Sequence, residues 1–262
     1  MKSKKVVWIT GASSGIGEAL AYLFNKNENK IIISARNIAA LEKVKSNCKI
    51  PENCYILPLD VSNFNELPEK TTEAFRAFES IDVLINNAGV SQRSLIVATE
   101  FEVYQKLMEV NYLGTVALTK LVLPYFIQQQ SGQFVTVTSL MGKFASPYRS
   151  GYCGAKHALH GFFDALRMEH EKDGLKVTLI CPGFVQTNVA KNALTADGSA
   201  QKSEDKATAN GLPVAVFAQK MKKAIDHQKF EVYIGQKEVF AVYLKRFFPK
   251  LLHRMVLRST VR

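Results

Sequence analysis

The chain has 262 residues, 47% of them hydrophobic, with a formal net charge of +11. That length fits one large α/β domain with a substantial core, and no uninterrupted apolar run reaches the roughly 18 residues of a bilayer span. The charge does not describe a nucleic-acid-binding face, because residues 237–262 hold seven Lys/Arg against one acid and supply +6 of the +11.

The N-terminus is basic, but Val6 to Thr10 is too short for a signal-peptide core and runs into glycines, so an unexported, cytoplasmic chain is expected. Cys48, Cys54, Cys153 and Cys181 form no CxxC pair and no metal-ligand spacing. Free thiols and no metal are the expectation.

Lys5 to Thr10 (KVVWIT) is a short β-rich run. It breaks into Gly11-Ala12-Ser13-Ser14-Gly15-Ile16-Gly17, after which Glu18 to Phe24 has helical periodicity. Strand, glycine turn and helix form the context of a dinucleotide fingerprint, here spaced GxxxGxG. Gly11 permits the tight turn, Gly15 lets backbone approach a pyrophosphate, and Gly17 lets the helix pack on the strand. The helix N-terminus then turns its N–H groups to the phosphates.

A second strand, Lys30 to Ser34, ends in Ala35-Arg36-Asn37. An acid there would bond a ribose 2′-hydroxyl and repel a 2′-phosphate. Arg36 suits the phosphate, and Ser13 can add a hydroxyl, so the sequence predicts NADP(H) over NAD(H). Asn37 N-caps a helix to Asn47. Cys54 to Leu59 is the third strand, followed by Asp60-Val61. A helix is expected from Ser62 or Asn63 to Phe78, with Phe64, Leu67, Thr71, Ala74, Phe75 and Phe78 on its apolar face. Asp82 to Ile85 is the fourth strand and leads into Asn86-Asn87-Ala88-Gly89. The alternation is that of a doubly wound parallel sheet.

Phe101 to Gln129 reads as two helices or one kinked helix around Gly114 and Pro124, and carries Asn111. Gln133 to Thr138 is the fifth strand and delivers Ser139. On the helix Gly151 to Glu171, Tyr152 and Lys156 lie one turn apart on one face. An ammonium beside a phenol favours the phenolate, so Lys156 is expected to lower the pKa of Tyr152 and make it a general acid/base. The Ser139 hydroxyl can hold a carbonyl oxygen. His157 and His160 lack a third ligand and read as structural.

Met141, Phe144 and Tyr148, in the loop after Ser139, and Phe184 are candidate substrate-pocket walls. Leu175 to Cys181 is the sixth strand, Pro213 to His227 a helix, and Lys229 to Ile234 the seventh strand. Residues 187–212, small and polar, read as a mobile substrate lid or a solvated insert. Residues 237–262 mix apolar side chains with spaced cations. That pattern suits an anionic membrane surface, or a helix packing on its own or a partner's core, with packing the simpler reading.

Together, Thr10-Gly11-x-x-x-Gly15-Ile16-Gly17, Asn86-Asn87-Ala88-Gly89, Asn111, Ser139, Tyr152-x-x-x-Lys156 and Pro182-Gly183 resemble the short-chain dehydrogenases/reductases, in order and spacing. The resemblance covers about residues 5–235 and is weaker toward the steroid-dehydrogenase-like and lipid ketone reductases. It implies a single-domain Rossmann-type fold over residues 1–236, an α/β doubly wound parallel sheet of about seven strands with helices on both faces, and a C-terminal extension over 237–262. It makes Tyr152 the acid/base, with Lys156 also bonding the nicotinamide ribose and Ser139 orienting the substrate. Asn111 would hold, by its main chain, a water that relays protons. Ser14, Asn37, Asp60, Val61, Asn87, Ala88, Gly89, Pro182, Gly183 and Thr187 would line the cofactor with the glycine turn. The implied activity is NADP(H)-dependent reduction of a lipophilic carbonyl, or oxidation of the matching secondary alcohol, by a homodimer or homotetramer. A non-catalytic NADP(H) sensor or scaffold, and a peripheral membrane-binding protein led by its tail, are the alternatives.

Overall fold

The structure is a computed structural model and describes residues 4–258. The first residues of the basic N-terminus and Arg262 of the tail lie outside the described residues.

Seven parallel strands form one sheet in the order β3-β2-β1-β4-β5-β6-β7. They are β1 (Val6–Thr10), β2 (Lys30–Ser34), β3 (Cys54–Ile56), β4 (Val83–Asn86), β5 (Gly132–Val137), β6 (Leu175–Pro182) and β7 (Glu231–Ile234). Parallel strands need crossovers, and the chain supplies helices α1 (Gly15–Lys26), α2 (Ile38–Ser46), α3 (Leu67–Phe78), α4 (Phe101–Met108), α5 (Gly114–Gln129) and α6 (Ser150–Glu169). A short α7 (Lys206–Ala209) and α8 (Val214–Asp226) precede β7, and α9 (Phe240–Phe247) and α10 (Pro249–Arg258) follow it.

The central strands are apolar on both faces because helices cover both. Val7, Ile9, Ile31, Ile33, Val83 and Ile85 point into a core with residues of α1, α2 and α8. Trp8, Ile32, Leu84 and Phe134 point the other way, against α3, α5 and α6. Trp8 is fully buried, and its indole N–H is satisfied by Ser34 Oγ at 2.8 Å. The winding reverses between β1 and β4, so a crevice opens beyond the carboxyl ends of those strands.

Two expectations need adjustment, and two further stretches take a definite place. The helix expected from Ser62 begins only at Leu67, with Pro68 in its first turn. Asp60 takes up the preceding residues in a turn, accepting bonds from the Ser62 amide (2.9 Å) and hydroxyl (2.6 Å), and Pro68 fixes the start of the helix. Phe64 is therefore exposed instead of on the apolar face.

The stretch Phe101–Gln129 is one continuous helix, and its middle turn, Glu109–Leu113, is a π-helix. It is long and apolar enough to cross a membrane by length and composition. The test of uninterrupted runs missed it because a window tolerates a charge or two. Here Val103, Leu107, Val110, Leu118, Val122 and Phe126 are buried, and most of them face the sheet.

Residues 187–212, read as a mobile lid or a solvated insert, touch the domain at several points. Leu194 bridges both Gln92 and Ala200, Ala190 and Ala193 are fully buried, and Asp205 forms a buried ion pair with Arg93 at 2.6 Å.

The tail packs on its own domain. Leu244 and Leu252 are buried with Leu140, Phe144 and Cys181. The opposite side of α9 and α10 leaves Phe240, Phe247, Phe248 and Leu257 exposed among cations.

Candidate functional site

A cleft of about 780 Å³ runs along the carboxyl ends of β1, β2, β4, β5 and β6. Its floor is tied together by residues far apart in sequence. Thr10 Oγ1 accepts from the amides of Asn87 (3.0 Å) and Ala88 (3.1 Å), while Asn87 Nδ2 donates to the carbonyls of Thr10 (2.9 Å) and Gly11 (3.1 Å). Gly11 has φ +64°, and a Cβ there would lie 2.8 Å from Ala88 Cα. Gly15, at φ +58°, approaches Thr187 so closely that its Cβ would sit 3.2 Å from Thr187 Cγ2. Only glycine meets both demands.

Ser14 is the N-cap of α1 in extended conformation, and its side chain makes no capping bond. The first-turn N–H groups of α1 therefore point into the cleft unsatisfied by a cap, as a pyrophosphate requires. Ser13, Ser14 and Ile16 line this end, whereas Gly17 is buried behind it. A dinucleotide fits these residues: a glycine turn without side chains, a free helix start and an elongated cleft.

At the next strand end, Arg36 is exposed at the rim, and Asn37 lines the cleft while its Oδ1 caps α2 by accepting from the Ala40 amide (3.0 Å). Asp60, Val61 and Lys106 complete this wall. Burial raises the pKa of the Asp60 carboxyl, but bonds from Ser62 and the charges of Arg36 and Lys106 outweigh it and hold the group below its ordinary value.

Asn111, fully buried, lies in the π-turn. Its Oδ1 accepts from the Val90 amide (3.0 Å), and its Nδ2 donates to the carbonyls of Val90 and Leu107 (both 3.0 Å). The side chain thus clamps the loop after β4, next to Gly89, and is spent on backbone.

Ser139, Tyr152 and Lys156 come together where this cleft reaches β5. Ser139 Oγ accepts from the Met141 amide (3.0 Å), which leaves its O–H free to donate, and it lies close enough to the Tyr152 phenol to pull its pKa down. The start of α6 is set by Gln92, whose Oε1 accepts from the amides of Gly151 (2.8 Å) and Tyr152 (3.2 Å).

Lys156 is buried beside Tyr152. Its Nζ donates to the Val137 carbonyl at 2.9 Å and stands 5.7 Å from the Tyr152 ring centre. Burial dominates at Tyr152 and raises its pKa, although Ser139, Arg149 and Arg93 each pull it down. Burial likewise brings the Lys156 ammonium down to about 8.

A second cavity of about 270 Å³ opens on the far side of Ser139 and Tyr152. Both residues, with Pro182, Gly183, Val185 and Val189, line the two spaces at once. Met141, Phe144 and Phe184 line the second cavity as expected. Tyr148 does not: it sits at φ +67° and lends its carbonyl to the Ser94 amide, which turns it away. Sequence reasoning missed Arg93, Arg149 and the α10 residues Leu252, Met255 and Val256, all in this wall. Arg149 stands three positions before Tyr152, but nothing local marks it as buried.

His160 finds partners that spacing did not reveal. It lies with Cys181 and Glu231, their ligand atoms within 4.8 Å of one another. Lys143 Nζ is 2.7 Å from Glu231 Oε2, and Tyr233 also donates to that carboxylate. Burial would raise the Glu231 pKa, but His160, Lys143 and Tyr233 hold it at about 2. With the Lys143 ammonium in place, this is an ion-pair network beneath the site.

Comparison with known proteins follows the same lines. The family model for short chain dehydrogenases matches residues 5–198. The human protein named dehydrogenase/reductase SDR family member 7 is 40% identical over 251 residues, which cover 93% of this chain and 74% of that protein. The structure of a short chain dehydrogenase/reductase from Burkholderia phymatum, in complex with NAD, superposes with a TM-score of 0.83 at 22% identity, over 95% of each chain. That of an alcohol dehydrogenase from the archaeon Thermococcus sibiricus, complexed with 5-hydroxy-NADP, gives 0.77 at 23%, over 90% of this chain and 97% of the other. Motifs, topology and relatives agree, and the chain belongs to the short-chain dehydrogenase/reductase family of oxidoreductases.

Proposed function

We propose that the protein is an NADP(H)-dependent reductase of a carbonyl group, and in reverse a dehydrogenase of the matching secondary alcohol, acting on a largely apolar substrate. One observation carries this reading: Ser139 and Tyr152 line the dinucleotide cleft and the apolar cavity at once. A carbonyl held there touches a proton donor on one side and the end of the cleft on the other.

The nicotinamide, when bound, supplies the hydride to the carbonyl carbon. Tyr152 gives its phenolic proton to the carbonyl oxygen. A phenol whose pKa is raised by burial is fully protonated at neutral pH, which is the state that reduction needs. Ser139, its lone pair held by the Met141 amide, donates its O–H to the same oxygen as charge builds there. Lys156, at about 8, is mostly cationic at neutral pH and stabilises the phenolate left behind. Its second partner, in this reading, is the nicotinamide ribose. Since the side chain of Asn111 is spent on Val90 and Leu107, proton relay falls to its main-chain carbonyl within the π-turn.

The fold alone does not choose the cofactor, since one structural relative is complexed with NAD and another with 5-hydroxy-NADP. Arg36 and Lys106, two cations on the wall around Asp60, support a 2′-phosphate. Leu140, Met141, Phe144, Phe184, Leu252 and Met255 support an apolar substrate body. The exposed Phe240, Phe247, Phe248 and Leu257, among the cations of α9 and α10, support peripheral contact with an anionic bilayer, from which such a substrate would partition.

The test is NADPH oxidation against a panel of lipophilic ketones. Turnover with NADPH favoured over NADH is expected, with Tyr152→Phe losing roughly 10²–10⁴ in kcat/KM. Absence of NADPH binding, or an unimpaired Tyr152→Phe enzyme, overturns the reading. For the membrane face, full-length chain is expected to co-sediment with phosphatidylserine vesicles, and Phe247→Asp/Phe248→Asp to pellet less. Equal pelleting of the two removes the membrane role.

A further inference from the structure

The second cavity holds a feature that reduction of a plain apolar ketone does not use. Arg149 is only 5% exposed and lines this cavity with Ser139 and Tyr152. Its Nη1 donates to Ser146 Oγ at 3.0 Å. Its Nη2 is buried and has no hydrogen-bond partner. Among the described residues no carboxylate lies within ion-pair distance of Arg149.

A buried, unpaired cation is expensive, and the surroundings make this one more so. Arg149 is the N-cap residue of α6, where the helix dipole already presents positive charge. Arg93, a second guanidinium in the same wall, is engaged by Asp205 at 2.6 Å, Ser91 at 2.9 Å and the Gln92 carbonyl at 2.7 Å. Asp205 thus pairs directly with Arg93, and its charge reaches Arg149 only at a distance, without an ion pair. The one carboxylate that lines the cavity, Glu238, holds the amides of Phe184 (3.0 Å) and Gln236 (3.1 Å) at the root of the tail. Water outside the pocket could have solvated Arg149 freely; instead the chain buries it where a substrate must lie, with one donor unused.

We infer that the substrate carries, besides its reacting carbonyl and apolar body, a single oxyanion, of which carboxylate is the simplest, and that the Arg149 guanidinium, with its unused Nη2 donor, receives it. Arg149 then fixes which end of the substrate faces Tyr152, and it determines specificity without touching the reacting atoms. The apolar body packs on Leu140, Met141, Phe144, Leu252 and Met255. The substrate class is a lipophilic oxo acid, not a neutral ketone. This rests on the reading of the second cavity as the substrate site.

The test needs no turnover. Octanoate and its neutral isostere octanamide are titrated by calorimetry into the full chain, with and without NADPH. A charge-assisted bond predicts octanoate binding roughly 10- to 100-fold tighter than octanamide. Arg149→Met is expected to erase that preference, and Arg149→Lys to restore part of it. Equal binding of the two probes to the wild type overturns the inference, and so does a folded Arg149→Met protein that keeps the preference. Should Arg149→Met fail to fold, the wild-type comparison and Arg149→Lys still decide. NADPH binding is read in the same titrations and bears on the oxidoreductase reading alone, so the two failures are distinguishable.

Discussion

The cleft over β1, β2 and β4 is lined by short loops, each leaving the carboxyl end of a strand whose position the sheet fixes. The cavity over β5 and β6 is assembled from five separated pieces: the loop around Ser91–Arg93, the turn after Ser139, the start of α6, the stretch around Phe184 and the two C-terminal helices. One side is therefore specified strand by strand, and the other only once the chain has closed on itself. The first is suited to one constant ligand, and the second can change by altering the tail, none of which lines the first.

The largest expected effect lies at the junction. Tyr152→Phe removes the proton donor that faces both spaces, and it is expected to lower kcat/KM by roughly 10³ while NADPH binding, read by fluorescence, stays within a few-fold of wild type. A comparable loss of NADPH affinity would mean that the two sides are not separable. Next comes a change confined to the cofactor side. Arg36→Glu puts an acid at the position proposed to meet a 2′-phosphate, and the kcat/KM ratio of NADPH to NADH is expected to fall by about 10²-fold with the ketone KM unmoved. An unchanged ratio would shift the choice of cofactor to Lys106.

A change confined to the substrate side should behave in mirror image. Leu252 is 6% exposed, and Leu252→Ala opens space between α10 and the turn after Ser139. Stability is expected to drop by about 2–3 kcal/mol, and the KM for a bulky ketone to shift several-fold, while NADPH affinity holds. Chemical denaturation and steady-state kinetics measure both.

The same contrast explains what was legible in the sequence. The glycine turn, Asn87, Ser139, Tyr152 and Lys156 carry their meaning locally, by spacing after a strand or along one helix, and the sheet order follows from the strand–helix alternation. Helix starts were less legible where turn chemistry competes, as at Asp60–Ser62, and packed small residues such as Ala190 and Ala193 resemble loop composition. Arg93, Arg149 and Leu252 were silent because burial and pairing over as many as 112 positions, the Arg93–Asp205 separation, leave no local pattern. The proximity of Lys156 to Tyr152 was visible in the sequence, whereas the desolvation that pushes the phenol up and the ammonium down belongs to the folded cavity.

The smallest effect concerns pH and comes from beneath the substrate side. Glu231 on β7 is bonded by Lys143, which follows the Ser139 turn, and by His160 on α6. Its carboxyl is held at about 2, below its unfolded value near ~4.3. A group depressed in the folded state contributes stability above its unfolded pKa and loses it as pH falls toward the folded one. Acidification from about pH 5 toward pH 2 therefore withdraws this contribution, and Glu231→Gln should flatten that limb of the Tm-against-pH curve by a few degrees. Lys156 has the opposite linkage: its folded value, about 8, lies below its unfolded one, so its burial is costly below 8 and the cost is relieved as pH rises. Reductase activity should fall above about 8 as the ammonium is lost, while stability does not. Because the Glu231 network touches the Ser139 turn and not the glycine turn, acid approaching pH 2 should disturb substrate binding before it weakens NADPH binding. An acid response that appears first in NADPH affinity would place the weak point on the cofactor side instead.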